Sequence, residues 1–136
     1  MKKLLSIQYS GAMFNLSMLL LRLGFGLLLI AKHGLPKLMD FAALQYKFYS
    51  FMGMGSRFTL VLAIFAELFC SMFIILGLFT RFAAIPVIIT MCAAIFGAGA
   101  GQPLINSELA ILYLTAFLVL FLLGPGRVSV DGMMKG

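Results

Sequence analysis

Two charged side chains, Arg22 and Glu67, each lie in the middle of an apolar run and are the first candidates for chemistry. A charge at the centre of a bilayer costs roughly 3 kcal/mol on insertion scales, so it needs a partner or a function. Both residues stand at similar depth in their runs, and we predict that they form an ion pair inside a helical bundle. Such a pair either fixes helix register or forms the polar part of a ligand site or proton relay.

His33 and Glu108 are two further candidate ligand-binding residues. His33 opens the segment His33-Gly34-Leu35-Pro36-Lys37 at the end of the first apolar run. Because histidine titrates near neutral pH, His33 could exchange protons with a ligand at the membrane interface, or it could simply cap the helix. Glu108 precedes another apolar run, where it either stabilises the first helical turn or shares a site with His33.

The composition indicates an integral membrane protein. Hydrophobic residues make up 63% of the 136 residues, charged residues only 10%, and the mean hydropathy is +1.14. Soluble domains have about 45–50% apolar and about 25% charged residues. The net charge of +6 comes from residues that flank the apolar runs, which argues against nucleic-acid binding. Cys70 and Cys92 have no metal-ligand spacing, so we expect packing roles and no metal site.

The runs predict an all-α, four-helix membrane bundle in a single domain, residues 1–136. A helix of about 20 apolar residues crosses the hydrocarbon layer, and each of the four runs is close to that length. The predicted spans are residues 13–31, 58–79, 82–98 and 106–123. A short amphipathic helix at the interface is predicted between spans one and two, over residues 41–52.

The polar residues of the first span fall on one helical stripe. Asn15, Arg22, Gly26 and His33 recur at intervals of about seven or four residues, which places them on one face. Lipid would not tolerate that face, so we expect it to point into the bundle. Pro36 is expected to end the regular helix, so that Lys37 need not follow the face of His33.

The sequence also predicts the structure of two segments outside the spans. Residues 41–52 have Phe41, Leu44, Phe48 and Phe51 at intervals of three or four, a pattern typical of a helix lying in the interface. The tail, residues 127–136, is polar and is expected to be loosely ordered.

Four spans place both termini on one side of the membrane. Five basic residues share that side and four share the other, which favours an orientation with both termini inside. The first group is Lys2, Lys3, Arg81, Arg127 and Lys135; the second is Lys32, Lys37, Lys47 and Arg57.

The order of several short motifs resembles the DoxX family of small four-span membrane proteins, over about residues 19–131. The motifs are His33-Gly34-Leu35-Pro36-Lys37, Ala66-Glu67-Leu68, Gly77-Leu78-Phe79-Thr80-Arg81 and Gly124-Pro125-Gly126-Arg127-Val128-Ser129-Val130-Asp131. The resemblance implies a helical bundle in a bacterial or archaeal cytoplasmic membrane. The family takes its name from a subunit of an archaeal terminal quinol oxidase and thiosulfate:quinone oxidoreductase system.

The resemblance therefore implies a subunit or accessory of a quinone-linked redox system, with quinone as the candidate ligand and a redox enzyme or second membrane subunit as partner. If the chain has enzymatic activity, it would be that of a quinone-linked oxidoreductase subunit. Two alternatives remain open at this stage. The chain could be a scaffold that anchors a soluble redox enzyme, or a carrier of a small solute or lipid. Homo-oligomers are compatible with each of these.

Overall fold

The computed structural model describes residues 5–135, so Lys2 and Lys3 of the predicted charge pattern lie outside it. The described chain is all-helical, and within it four helices are long and apolar enough to cross a membrane. These spans are Gly11–Met39, Ser56–Leu76, Thr80–Ala98 and Leu104–Leu123. They follow the predicted spans, except that the first continues well past residue 31.

Span one begins with α1 (Gly11–Leu29), whose N-terminus is capped by Ser10, because the Ser10 hydroxyl accepts a hydrogen bond from Met13 N at 3.1 Å. A π-helical turn, Ile30–Gly34, then leads into α2 (Leu35–Met39). Pro36 therefore does not end the helix, contrary to the prediction. It lies in the first turn of α2, where its missing N–H has little effect, and the π turn places the preceding N–H of Leu35 on the oxygen of Ile30.

The segment between spans one and two is only partly helical. It contains α3 (Phe41–Leu44) and a short 3-10 turn, Phe51–Gly53, instead of a continuous helix over 41–52. The predicted helix over 41–52 is thus shortened to α3, because the chain leaves the helical conformation after Leu44, is extended at Ser50 (φ −93°, ψ 104°) and turns at Met52, which has a φ of 51°. The apolar side chains of this segment nevertheless face inward as predicted, since Phe41, Leu44 and Phe48 pack against span two.

Span two consists of α4 (Ser56–Ile64), a π-helical segment (Phe65–Cys70) and α5 (Ser71–Leu76). Gly77 ends it with a φ of 73°, and a tight turn leads into span three, which is α6 (Thr80–Cys92) followed by a third π-helical segment, Ala93–Ala98. Span four is a 3-10 turn, Leu104–Ser107, followed by α7 (Glu108–Leu123). The last described element is α8 (Val130–Lys135).

The spans pack in a closed ring. Span one contacts spans two and four, span two contacts span three, and the most extensive helix contact joins α6 to α7. The core between them is apolar and includes Leu29, Ile74, Val87 and Phe117, each fully buried. The predicted polar stripe of span one points into this ring, as Arg22 and Gly26 are buried.

Candidate functional site

The carboxylate of Glu67 forms an ion pair with Lys37. Lys37 Nζ lies 2.6 Å from both Oε1 and Oε2 of Glu67. Glu67 is 3% exposed, whereas the Lys37 side chain is 21% exposed, so the pair reaches from the bundle interior towards its surface. A charge-assisted contact with both carboxylate oxygens is stronger than an ordinary hydrogen bond.

The first two spans approach each other closely at this pair because of one glycine. A Cβ added at Gly34 would lie 2.9 Å from the carbonyl carbon and oxygen of Glu67. Only a glycine allows the π-helical turn of span one to touch the backbone of span two at this point. Lys37 follows three residues later, on the continuation of the same helix, and this register places its ammonium at Glu67.

A cavity of about 310 Å³ opens beside the ion pair, between spans two and three and the connecting segment. Lys37 and Glu67 are the charged residues in its wall. Most of the remaining wall is apolar or aromatic, with a few hydroxyl groups. The lining includes Phe48, Tyr49, Phe51, Met54, Thr59, Leu62, Ala63, Ile89, Thr90, Ala93, Ala94 and Ala98. An apolar cavity with a few polar groups is the usual composition of a small-molecule site.

Two π-helical segments contribute to this wall, Phe65–Cys70 with Glu67 and Ala93–Ala98 with three alanines. The third, Ile30–Gly34, positions Lys37. π-Helical turns are rare and occur often at functional sites, since they shift the helix register locally. Within residues 5–135, these three π-helical segments therefore all lie beside the cavity or its ion pair.

The connecting segment supplies the aromatic side of the cavity. Lys37 Nζ lies 5.8 Å from the centroid of the Phe48 ring, within the range of a cation–π contact. Tyr49 packs its phenol against Gly97 of span three, where a Cβ would collide with the ring. The segment is held in place by Thr59, whose hydroxyl accepts a hydrogen bond from Phe51 N at 3.0 Å.

The predicted ion pair between Arg22 and Glu67 is not formed. Arg22 is 1% exposed and donates hydrogen bonds to the carbonyl oxygens of Ile74 at 3.4 Å and Ile75 at 3.2 Å. It also donates to the carbonyl oxygen of Val128 in the tail. The prediction failed because depth within each run was a poor guide to antiparallel register. Gly34 is the residue opposite Glu67, and Arg22 lies roughly twelve residues, or ~18 Å of helical rise, away from Gly34.

Arg22 therefore binds the end of span two and not its middle. The last carbonyl groups of a helix lack partners within the helix and carry partial negative charge, so a guanidinium satisfies them well. Gly77 makes the approach possible, since a Cβ there would collide with Arg22 and with Ser129. Among the residues predicted for ligand binding, Arg22 has the contacts of a structural residue.

His33 and Glu108 do not line the cavity beside Glu67. The His33 ring packs edge-on against Tyr113 of span four, with the ring centroids 5.3 Å apart. Glu108 is exposed at the first turn of α7. The structure thus brings only Glu67, of the four predicted site residues, into the cavity, and adds Lys37 as its partner.

Sequence reasoning placed Lys37 beside His33 but missed its pairing with Glu67. Two features of the sequence could have indicated this pair. A carboxylate such as Glu67 within an apolar span requires a cationic partner, and Lys37 belongs to the same short motif as Gly34. Pro36 hides this register, because a proline normally predicts the end of a helix. No group of three or more His, Cys, Asp or Glu side chains within residues 5–135 is placed to hold a metal ion, and Cys70 and Cys92 are free thiols.

Fold and site together define a multi-pass helical membrane protein with a buried charge pair beside an apolar cavity. The family model for DoxX matches residues 17–100, which include both residues of the pair. The chain belongs to the DoxX family. Comparisons with curated proteins and with solved structures found no significant match.

Proposed function

We propose that this protein is a membrane subunit or accessory of a quinone-linked redox system and that the cavity beside Lys37 and Glu67 holds the quinone head group. The single observation that carries the proposal is a buried ammonium–carboxylate pair in the wall of an otherwise apolar cavity. The volume of about 310 Å³ lies at the lower end of the range for ligand pockets. A head group fits such a space, while a long tail would extend outside it.

The chemistry of the pair suits a quinone. The Lys37 ammonium can donate a hydrogen bond to a quinone carbonyl, and the Glu67 carboxylate can accept one from a quinol hydroxyl. The two groups already share a proton-bearing contact at 2.6 Å, so a proton could pass between ligand and pair with little movement. The rings of Phe48 and Phe51 offer apolar faces against which a planar ring can pack.

The apolar side of the cavity suits the hydrocarbon part of the same ligand. Leu62 and Ile89 line it from spans two and three, and both are substantially exposed, at 42% and 53%. An exposed apolar side chain at mid-span faces lipid, so the cavity borders the region through which a lipid-soluble ligand would arrive. In this proposal the electrons belong to a partner redox enzyme, and this chain supplies binding and proton exchange.

Quinone binding can be tested with a substitution that fills the cavity without changing its charges. Ala94→Phe adds a ring to the cavity wall, and Ala31→Phe adds the same ring to an exposed position on span one that does not line the cavity. A short-chain quinone analogue is titrated into purified protein in detergent, and bound quinone is measured by native mass spectrometry. We expect binding to the wild type and to Ala31→Phe and at least a tenfold loss for Ala94→Phe, or ~1.4 kcal/mol.

Two results would contradict the proposal. If the wild type binds no quinone, the scaffold hypothesis becomes the better account, and co-purification of a soluble enzyme would support it. If Ala31→Phe weakens binding as much as Ala94→Phe, the quinone associates with the apolar surface in general. Melting temperatures of both variants, measured in the same detergent, show whether each retains the native fold.

A further inference from the structure

A second, wider cleft lies where span three begins and span four ends. Its volume is about 990 Å³, and the tail forms one of its sides. Arg81, from the start of α6, and Arg127, from the tail, both line it and are both exposed. This cleft shares no lining residue with the cavity beside Glu67, so its role is independent of quinone binding.

The cleft has the charge of an anion site. Its one carboxylate, Asp131, accepts hydrogen bonds from Phe79 N at 2.8 Å and Thr80 N at 3.0 Å, so it is already engaged with backbone. Arg81 donates a long hydrogen bond to the carbonyl oxygen of Leu122, at 3.4 Å, which uses one of the five N–H groups of a guanidinium. The two arginines outweigh the single carboxylate and retain donors for an oxyanion.

The cleft also has the apolar surface of a lipid site. Phe82 is 77% exposed and Met134 is 66% exposed, and both line the cleft, together with Leu123 at 52%. Large apolar side chains at the end of a membrane span lie at the level where acyl chains meet head groups. An occupant that satisfies both kinds of wall must carry an anionic group and a hydrocarbon chain on one molecule.

We propose that this cleft binds an anionic phospholipid, with its phosphate between Arg81 and Arg127 and an acyl chain along Phe82. Arginine suits this role because its planar fork of donors matches phosphate oxygens. A soluble phosphate would use the arginines alone and would leave the exposed phenylalanine uncovered. The depth fits a head group, since Arg81 stands at the first turn of one span and Arg127 follows the end of another.

The proposal is tested by native mass spectrometry of the purified full chain in detergent, titrated with phosphatidylglycerol or with phosphatidylcholine of the same acyl chains. We expect the wild type to retain phosphatidylglycerol preferentially. Arg81→Gln and Arg127→Gln should each weaken that binding about fivefold, the effect expected for one basic residue at an anionic membrane surface. Arg57→Gln is the matched control, because Arg57 is exposed but does not line this cleft.

Three results would overturn the assignment. Equal retention of the two lipids by the wild type would exclude a charge-selective lipid site. An equal loss in Arg57→Gln would show that net charge, and not this cleft, attracts the lipid. Displacement of phosphatidylglycerol by glycerol phosphate at the same concentration would identify a soluble anion as the ligand. Because both arginines are exposed, each single variant is expected to fold, and its melting temperature verifies this.

Discussion

Glu67 and Arg22 are both buried, at 3% and 1% exposure, but their charges are satisfied in different ways. Glu67 has an ionic partner, Lys37, whereas Arg22 binds neutral carbonyl oxygens at the end of span two. Loss of one member of a buried pair leaves the other charge desolvated and unpaired, which is costlier than loss of the pair as a whole. The pair can therefore be recognised by comparing single and double substitutions.

We predict that Lys37→Met is more destabilising than Glu67→Gln, and that the double variant recovers part of the loss. Lys37→Met strands a carboxylate in the interior, with an expected cost of about 3 kcal/mol in unfolding free energy. Glu67→Gln strands an ammonium that is 21% exposed and can move towards the interface, so its cost should be smaller. Thermal melting in one detergent, arranged as a double-mutant cycle, measures the coupling.

Lys32→Met provides the control for Lys37→Met, because Lys32 lies on the same helix and is exposed. We expect it to leave the melting temperature unchanged within the uncertainty of a surface substitution, about 0.5 kcal/mol. If Lys37→Met lowered the melting temperature no more than Lys32→Met, the ion pair would contribute nothing to stability. Its buried geometry would then need another explanation.

At the scale of whole elements, residues 127–135 of the tail fold against the bundle, whereas the polar composition of the tail predicts a loosely ordered segment. Arg127 N donates to the side-chain oxygen of Asn15 at 2.9 Å, which ties the tail to span one. Asp131 N donates to the carbonyl oxygen of Gly77 at 2.9 Å, and the Asp131 carboxylate caps the start of α6. The cap comes from a residue about fifty positions away in the chain, so local sequence around α6 could not reveal it.

We predict that Asp131→Ala lowers the unfolding free energy by about 1–2 kcal/mol, the usual effect of losing a helix N-cap. The two N–H groups at Phe79 and Thr80 lose their acceptor, so their hydrogen exchange should become faster than in the wild type. Asp40→Ala is the matched control, since Asp40 precedes α3 but its side chain makes no capping hydrogen bond. Equal melting temperatures for the two variants would contradict the capping role.

The elements that could be predicted are those set by composition and periodicity. The four apolar runs predict four spans, and the stripe containing Arg22 and Gly26 correctly identifies the inward face of span one. Helix register could not be predicted, because it depends on one close contact, between Gly34 and the backbone of Glu67. An error in register moved the expected partner of Glu67 from Lys37 to Arg22.

Local backbone conformation explains the other differences between prediction and structure. The π-helical turn at Ile30–Gly34 accommodates Pro36 and lets span one continue, although proline normally predicts a helix end. The reverse occurs after Leu44, where α3 ends and the chain becomes extended at Ser50, although the apolar pattern over residues 41–52 predicts a helix. In neither place did the local sequence pattern determine the path of the backbone.

The whole molecule presents two different ends. The end with the cavity carries the Lys37–Glu67 pair, and the end with the cleft carries Arg81 and Arg127. The positive-inside rule counts basic residues and not net charge, so Lys37 remains one of four basic residues on the cavity side. Five basic residues are counted on the side of the termini, of which Lys2 and Lys3 lie outside the described residues. This small excess predicts an inside location for the termini and for the cleft beside them.

We predict that a cysteine at position 47 is labelled from outside the cell and that a cysteine at position 133 is labelled only after permeabilisation. Lys47→Cys and Met133→Cys are both at exposed positions on opposite ends of the bundle. Each is introduced into a chain whose two native cysteines are replaced by alanine, and the reagent is a maleimide that does not cross membranes. Labelling of position 133 alone in intact cells would show the opposite orientation, with the termini and the arginine cleft outside the cell. Labelling of both positions in intact cells would contradict the four-span topology itself, because the three spans between position 47 and the tail place them on opposite sides of the membrane.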